Sequence, residues 1–202
     1  ADTAPDLGGA LNQLLEEHGR SALPMTTLRP HVSAGTRGML GIGFGLAPEA
    51  DAYPELAQRF LKHYAARLCR ETRLFDGMAT LLDELDRRNI LWGIVTNKAA
   101  RFTEPLVSCL GLSKRTAAIV SGDSTARPKP APDSLLLACE IAKVSHRETL
   151  YVGDDLRDIQ AAHAAAIEAV AAAYGYLGDG TAIIDWAAEA IIDTPMELLD
   201  LL

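Results

Sequence analysis

The stretch that decides the fold is Thr-Leu-Tyr-Val-Gly-Asp-Asp-Leu-Arg-Asp, which occupies residues 149–158. Its first four residues form a short, largely apolar run that predicts a strand. The run ends in glycine and two aspartates, and Asp155 is a favourable N-cap for a helix that follows. The stretch therefore predicts a strand that ends in acidic residues and leads directly into a helix.

The same succession of strand and helix repeats along the chain after residue 76. Each further apolar run is continuous, and an amphipathic segment separates it from the next run. Continuous apolar strands joined by helices indicate a parallel sheet that is covered on both faces. We therefore predict an α/β fold with a Rossmann-like parallel sheet. The other predicted strands are 90–95, 117–120, 169–173 and 190–192, and the predicted helices are 78–88, 98–110, 132–143 and 156–165.

The first 71 residues follow a different pattern, because they contain no predicted strand. Apolar residues recur at helical spacing over residues 5–18 and 52–70, which predicts two amphipathic helices. Residues 32–45 lie between them, contain five glycines and are predicted to form a loop. The amino-terminal third is therefore predicted to be helical.

Composition excludes several classes of function. The 202 residues carry a net charge of −8 and 49% of them are apolar, so we expect a globular protein that binds no nucleic acid. No apolar run approaches the ~18–20 residues of a membrane span, and we expect no membrane association. Cys69, Cys109 and Cys139 are odd in number and far apart, so we predict reduced core thiols and a cytoplasmic protein. We expect a monomer or a homodimer.

Three groups of polar residues lie at predicted strand ends, where open parallel sheets bind their ligands. The first group consists of the carboxylates Asp154, Asp155 and Asp158. Crowded carboxylates repel one another unless a cation lies among them, and Mg²⁺ accepts one or two carboxylates together with substrate phosphate oxygens. Helix capping by Asp155 explains the same pattern, so a metal site and a helix cap both stay open.

The second and third groups favour an anionic ligand. Thr96 and Asn97 follow six apolar residues directly, so a hydroxyl and an amide could bind a phosphate oxygen there. Helix capping is the commoner role of such a pair. Lys129 lies between Pro128 and Pro130, which restrict its backbone just before a helix, and the alternative is a solvated loop lysine.

In this order, the three groups resemble motifs of the haloacid dehalogenase superfamily of aspartate-nucleophile phosphatases. The second motif of that family is Ser or Thr after a strand, its third is Lys, and its fourth is Gly-Asp-Asp-x-x-Asp or a close variant. The chain is most similar to phosphoglycolate phosphatases and to the N-acetylmuramic acid 6-phosphate phosphatases of bacteria. The similar segments are 2–7, 74–78, 92–98, 101–105, 122–123, 129–130, 151–155 and 174–177.

The resemblance implies Mg²⁺ as the cofactor and a small phosphorylated metabolite as the partner. Asp154 and Asp155 would bind the ion, and Gly153 and Asp158 would support their loop. The reaction would hydrolyse a phosphomonoester through a phospho-aspartate. The first substrate expected is 2-phosphoglycolate, and N-acetylmuramic acid 6-phosphate is the alternative.

The resemblance also implies the residues that contact the phosphoryl group. Thr96 and Asn97 would bind its oxygens. Lys129 would neutralise both the nucleophilic carboxylate and the transferring group, so Thr96 and Lys129 are the expected catalytic residues.

The implied domains are a core of the haloacid dehalogenase type and an inserted helical cap. Residues 1–7 and 72–202 would form the core, and residues 8–71 would form the cap. The glycine-rich loop of the cap would select the substrate. Arg37 is its candidate for contacting an anionic substrate, and a solvated arginine is an equal alternative.

Two positions depart from the family pattern. In the family, the first motif, Asp-x-Asp-Gly-Thr, supplies the nucleophile. This motif does not occur in the sequence. We expect it upstream of Ala1, on an apolar strand that lies between the strands at 90–95 and 149–152. If the motif is truly absent, the protein would be a phosphate-binding pseudoenzyme. A phosphomutase is a second alternative, because it would share the fold. Ala166 stands where relatives usually have glycine, and costs roughly 1 kcal/mol if that position requires a positive φ.

Overall fold

The structure, a computed structural model, describes residues 1–178 and 180–202. Its contacts divide the described chain into two compact units. The helical unit comprises Ala1–Arg73 and a short segment that begins at Tyr176, and the sheet unit comprises Leu74–Gly175 and Gly180–Leu202. Residues 1–7, which we assigned to the core, group with the helices because the first helix already begins at Ala4.

The helical unit contains the two amphipathic helices that the sequence predicts. Its elements are α1 (Ala4–Glu17), α2 (Met25–Leu28), a 3-10 helix (Arg29–Ala34), α3 (Gly35–Phe44) and α4 (Tyr53–Arg67). α1 packs against α4, and the apolar stripes of both helices are buried. The buried side chains include Leu11 and Leu14 on α1 and Phe60 and Tyr64 on α4. The helical prediction for this part of the chain is therefore confirmed.

The glycine-rich segment is a helix, so our prediction of a loop is wrong. Glycine weakens a helix by about 1 kcal/mol per residue, but the burial of Met39 and Leu40 on α3 outweighs this cost. A side chain at Gly38 would clash with the carbonyl oxygen of His31. The absence of such side chains lets α3 lie close to its neighbours.

The sheet unit contains the five predicted strands, and all of their pairings are parallel. They are β1 (Gly93–Val95), β2 (Ala118–Val120), β3 (Leu150–Gly153), β4 (Glu168–Ala172) and β5 (Ala190–Ile192). The strands form two sheets, β1-β2 and β3-β4-β5, which are separated between β1 and β3. The Tyr151 side chain on β3 reaches the Val95 carbonyl oxygen on β1 across 3.3 Å, so a side chain joins the two sheets.

Helices separate the strands as predicted, which confirms the α/β class. They are α5 (Met78–Arg87), α6 (Ala100–Cys109), α7 (Asp133–Ala142) and α8 (Leu156–Ala164). A buried core joins Leu81, Leu82 and Leu85 of α5 to Val170 of β4 and Ile192 of β5. The strand ends that carry the polar groups are thereby fixed on a packed scaffold.

The structure also bears on the cysteines, on membrane association and on Ala166. Cys139 is a buried free thiol, but Cys69 and Cys109 are not free, so the prediction of three reduced thiols is wrong. No helix among the described residues is long and apolar enough to cross a membrane. Ala166 adopts a φ of 54°, so the strained position expected there is present.

Candidate functional site

Thr96 and Asn97 directly follow β1, and their side chains are engaged differently. The Thr96 hydroxyl accepts a hydrogen bond from the Lys98 amide at 3.1 Å and still carries a proton that it can donate to a ligand. The Asn97 side chain binds the backbone of Lys129 twice, since its Nδ2 donates to the carbonyl oxygen and its Oδ1 accepts from the amide, both at 3.0 Å. Asn97 therefore helps to hold the backbone of Lys129, and its Nδ2 has a second proton that it can donate to another acceptor.

Lys129 is buried, which excludes the solvated loop lysine. Its Nζ donates to Asp158 Oδ1 at 2.6 Å, to the Tyr151 hydroxyl at 2.7 Å and to the Val95 carbonyl oxygen at 3.1 Å. Burial disfavours the charge, but Tyr151 and Asp158 outweigh burial and raise the pKa of Lys129. A permanently charged ammonium therefore lies beside Val95, one residue from Thr96.

Asp155 acts as the N-cap of α8, so the capping alternative is realised at this residue. Its Oδ1 accepts from the Arg157 amide at 2.9 Å. The Arg157 guanidinium also binds both carboxylate oxygens, at 2.8 and 2.7 Å. Asp155 therefore has a cationic partner in the protein itself.

Asp158 and Gly153 both contribute to the geometry of the acidic loop. Asp158 lies in the first turn of α8 and accepts from the Asp154 amide at 3.2 Å, while its other oxygen binds Lys129. A side chain at Gly153 would clash with Asp158. Glycine at this position therefore allows β3 and α8 to meet.

Asp154 directly follows β3 and is the first carboxylate of the acidic loop. Gly175 lies against it so closely that a side chain there would clash with the Asp154 carboxylate. Burial and the negative charge of Asp154 raise the pKa of Tyr174 to about 12, so the charge of Asp154 acts on this neighbouring side chain. Among the described residues no group of three or more His, Cys, Asp or Glu side chains is arranged to hold a metal ion.

The donor set nevertheless suits Mg²⁺, which requires only one or two carboxylates when substrate and water supply the remaining oxygens. Asp154 would be its principal protein ligand. Asp155 would have to exchange the Arg157 guanidinium for the ion, because both of its oxygens bind that group.

Arg37 lies in the helical unit and lines a pocket of about 410 Å³ on α3. Its side chain is exposed. The other residues around the pocket are His31, Ala34, Gly38, Gly41 and Ile42. An arginine at the edge of a concave surface is suited to binding an anionic group.

Sequence reasoning missed Tyr151 and Arg157. Tyr151 contacts Lys129, Asp158 and Val95 at once. A signal was present, since Tyr151 carries the hydroxyl nearest the acidic loop in a mostly apolar strand. Arg157 stands between two aspartates of that loop, where a positive charge has nearby partners.

Comparison with known proteins identifies the family to which the chain is related. The haloacid dehalogenase-like hydrolase family matches residues 1–172. The N-acetylmuramic acid 6-phosphate phosphatase of Pseudomonas putida is 38% identical over 98% of this chain and 88% of its own length. The phosphoglycolate phosphatase of Xanthomonas campestris is 39% identical over 98% of this chain and 89% of its own length.

The fold agrees with that relationship. The crystal structure of a predicted phosphoglycolate phosphatase from Haemophilus somnus superposes with a TM-score of 0.85 at 22% identity, covering 99% of this chain and 92% of that one. The family match spans most of the sequence, including the residues at the ends of β1 and β3. The chain belongs to the haloacid dehalogenase-like hydrolase family.

Proposed function

We propose that the protein is a Mg²⁺-dependent phosphatase that hydrolyses a small phosphomonoester, with 2-phosphoglycolate as the first substrate. The observation that carries the proposal is the buried ammonium of Lys129, held one residue from Thr96 and paired with the acidic loop that contains Asp154. A fixed positive charge of this kind favours a group whose negative charge is redistributed in the transition state. The names of the relatives in two branches of the family point to the same class of reaction.

Each residue then has a chemical role. Thr96 donates its hydroxyl proton to a phosphoryl oxygen, Lys129 neutralises the transferring group, and Asn97 keeps Lys129 in place. Mg²⁺ held by Asp154, and by Asp155 after it releases Arg157, would supply a Lewis acid that orients the phosphoryl oxygens.

We also propose that an aspartate upstream of Ala1 is the nucleophile. Its carboxylate oxygen would form a bond to phosphorus while the ester oxygen leaves and takes up a proton as the alcohol. Water would then hydrolyse the phospho-aspartate, restoring the carboxylate and releasing phosphate. The separation of β1 from β3 in two sheets supports a strand between them that carries this residue.

The second candidate substrate is N-acetylmuramic acid 6-phosphate. The relative from Pseudomonas putida carries that name. The pocket beside Arg37, at about 410 Å³, is in the range of small-molecule sites and larger than a two-carbon acid needs. We propose that Arg37 contacts the carboxylate of the substrate, that the enzyme works in the cytoplasm, and that it is a monomer or a homodimer.

A substrate panel tests the proposal. The natural full-length protein is assayed for phosphate release from 2-phosphoglycolate, N-acetylmuramic acid 6-phosphate and an aryl phosphate, with MgCl₂ or with a chelator. We expect metal-dependent hydrolysis whose kcat Lys129→Met lowers about 100-fold and Lys114→Met, at an exposed lysine, leaves unchanged. Failure to hydrolyse any of the three esters would leave the pseudoenzyme as the better description.

A further inference from the structure

The Tyr151 hydroxyl lies at the junction of the two sheets. It accepts a hydrogen bond from Lys129 Nζ at 2.7 Å. It also lies 3.3 Å from the Val95 carbonyl oxygen on β1 and 3.4 Å from Asp158 Oδ1 on α8. One hydroxyl therefore connects the end of β1, which leads to Thr96, with the ion pair between Lys129 and Asp158.

The hydrogen bonds at this junction are complementary. Lys129 has three ammonium protons, and three acceptors surround it: Asp158, Tyr151 and the Val95 carbonyl. Burial raises the pKa of Tyr151, so its phenol stays protonated and both accepts from Lys129 and donates one proton. The Lys129 ammonium also lies 5.4 Å from the centroid of the Tyr151 ring, within the range of a cation–π contact.

These contacts restrict the position of the ammonium group. The two prolines and Asn97 fix the backbone of Lys129, but four rotatable bonds separate the backbone from Nζ. Asp158 and the Val95 carbonyl define two directions, and Tyr151 adds a third from β3. Small displacements of a catalytic group reduce turnover more than they reduce substrate binding.

We propose that Tyr151 is a positioning residue, whose hydroxyl fixes the Lys129 ammonium relative to Thr96 for phosphoryl transfer. The inference rests on the proposed phosphatase function. Tyr151 itself makes no contact with the reacting atoms in this account and acts through Lys129.

The test compares Tyr151→Phe with wild type in the natural full-length protein. The control is Tyr64→Phe, which removes one hydroxyl from a buried tyrosine of the helical unit. We expect kcat of Tyr151→Phe to fall about tenfold, while KM changes less than twofold. Tyr64→Phe should keep the wild-type kcat. Equal kcat in wild type and Tyr151→Phe would overturn the inference.

A double-mutant cycle separates positioning from a general loss of structure. In a Lys129→Met background Tyr151→Phe should have no further effect on kcat, because its hydroxyl acts through the ammonium group. If Tyr151→Phe lowers kcat tenfold in the Lys129→Met background as well, that result would also overturn the inference. If Tyr151→Phe does not fold, 3-fluorotyrosine at position 151 replaces it, since fluorine weakens the hydroxyl as an acceptor. A smaller but measurable fall in kcat is then expected, and an unchanged kcat contradicts the inference.

The two levels of the account fail separately. An inactive wild-type protein would overturn the proposed phosphatase function. An active wild type whose kcat does not depend on the Tyr151 hydroxyl would overturn only the positioning role.

Discussion

Replacing Lys129 by Met should affect stability and catalysis through different partners. The side chains of Lys129 and Asp158 are 8% and 9% exposed, and their charged atoms are 2.6 Å apart. Methionine would leave the Asp158 carboxylate buried without its cation. Breaking a buried pair in this way costs about 3–5 kcal/mol. We expect the lower end, about 3 kcal/mol, because the Asp154 amide still donates to Asp158 at 3.2 Å.

A second substitution distinguishes the two roles of Lys129. Asp158→Asn in the Lys129→Met background removes the unpaired charge and should restore about 2 kcal/mol of the free energy of unfolding. It should not restore turnover, since the positive charge facing the phosphoryl group is still missing. We expect kcat to fall about 100-fold in both the single and the double variant, with a smaller change in KM.

Urea denaturation measures the free energy of unfolding, and phosphate release measures kcat. A loss of less than 1 kcal/mol in Lys129→Met would refute the buried pair. Recovery of wild-type kcat in the double variant would refute the catalytic role of the ammonium group.

Four further predictions concern the metal, the substrate, the backbone and pH. Asp154→Asn should weaken Mg²⁺ binding and turnover together while the melting temperature is unchanged, and isothermal titration that shows wild-type affinity would return this residue to a structural role. Arg37→Ala should raise KM for the physiological ester and spare an aryl phosphate, whereas an equal loss on both would place Arg37 in the structure of the helical unit. Ala166→Gly should stabilise the protein by about 1 kcal/mol because φ is 54° and the residue is exposed, while Ala164→Gly in α8 should destabilise it by a similar amount. Burial lowers the pKa of Lys98 from 10.5 to about 8. Between these pH values the unfolded chain keeps a proton on Lys98 that the folded protein has lost, so the free energy of unfolding should rise with pH there, by about 2 kcal/mol after allowance for partial exposure. Lys98→Met should remove that slope in urea titrations.

The local pattern of the sequence is sufficient for the α/β class. The run at 149–152 and the residues after it become β3 and α8 as predicted, because the strand is short and apolar and Asp155 caps the helix. The carboxyl ends of β1 and β3 therefore carry the polar residues that the sequence places there. Lys129 is a further case, since two prolines limit its backbone before any tertiary contact forms.

Tertiary contacts decided what the pattern could not. The glycines of α3 have low helix propensity, yet the burial of Met39 and Leu40 makes that segment helical. The side chain of Asn97 also binds the backbone of Lys129, through its Nδ2 and its Oδ1. No local pattern encodes that pairing, because the two residues are 32 positions apart.

The separation into two sheets lies between β1 and β3, which is where the family resemblance places the strand that carries the first motif. The side chains of Tyr151 and Lys129 reach the Val95 carbonyl, so the edges of β1 and β3 are joined through polar side chains.

The central claim is that Thr96, Lys129 and Asp154 form one site for phosphoryl transfer. Crystallisation of the natural full-length protein with MgCl₂ and tetrafluoroaluminate tests it most directly, because this anion imitates a phosphoryl group in transfer. The account predicts the anion within hydrogen-bond distance of Thr96 Oγ1 and Lys129 Nζ, with the metal ion bound to an oxygen of Asp154. An anion bound elsewhere, or a metal ion that does not contact Asp154, would contradict it.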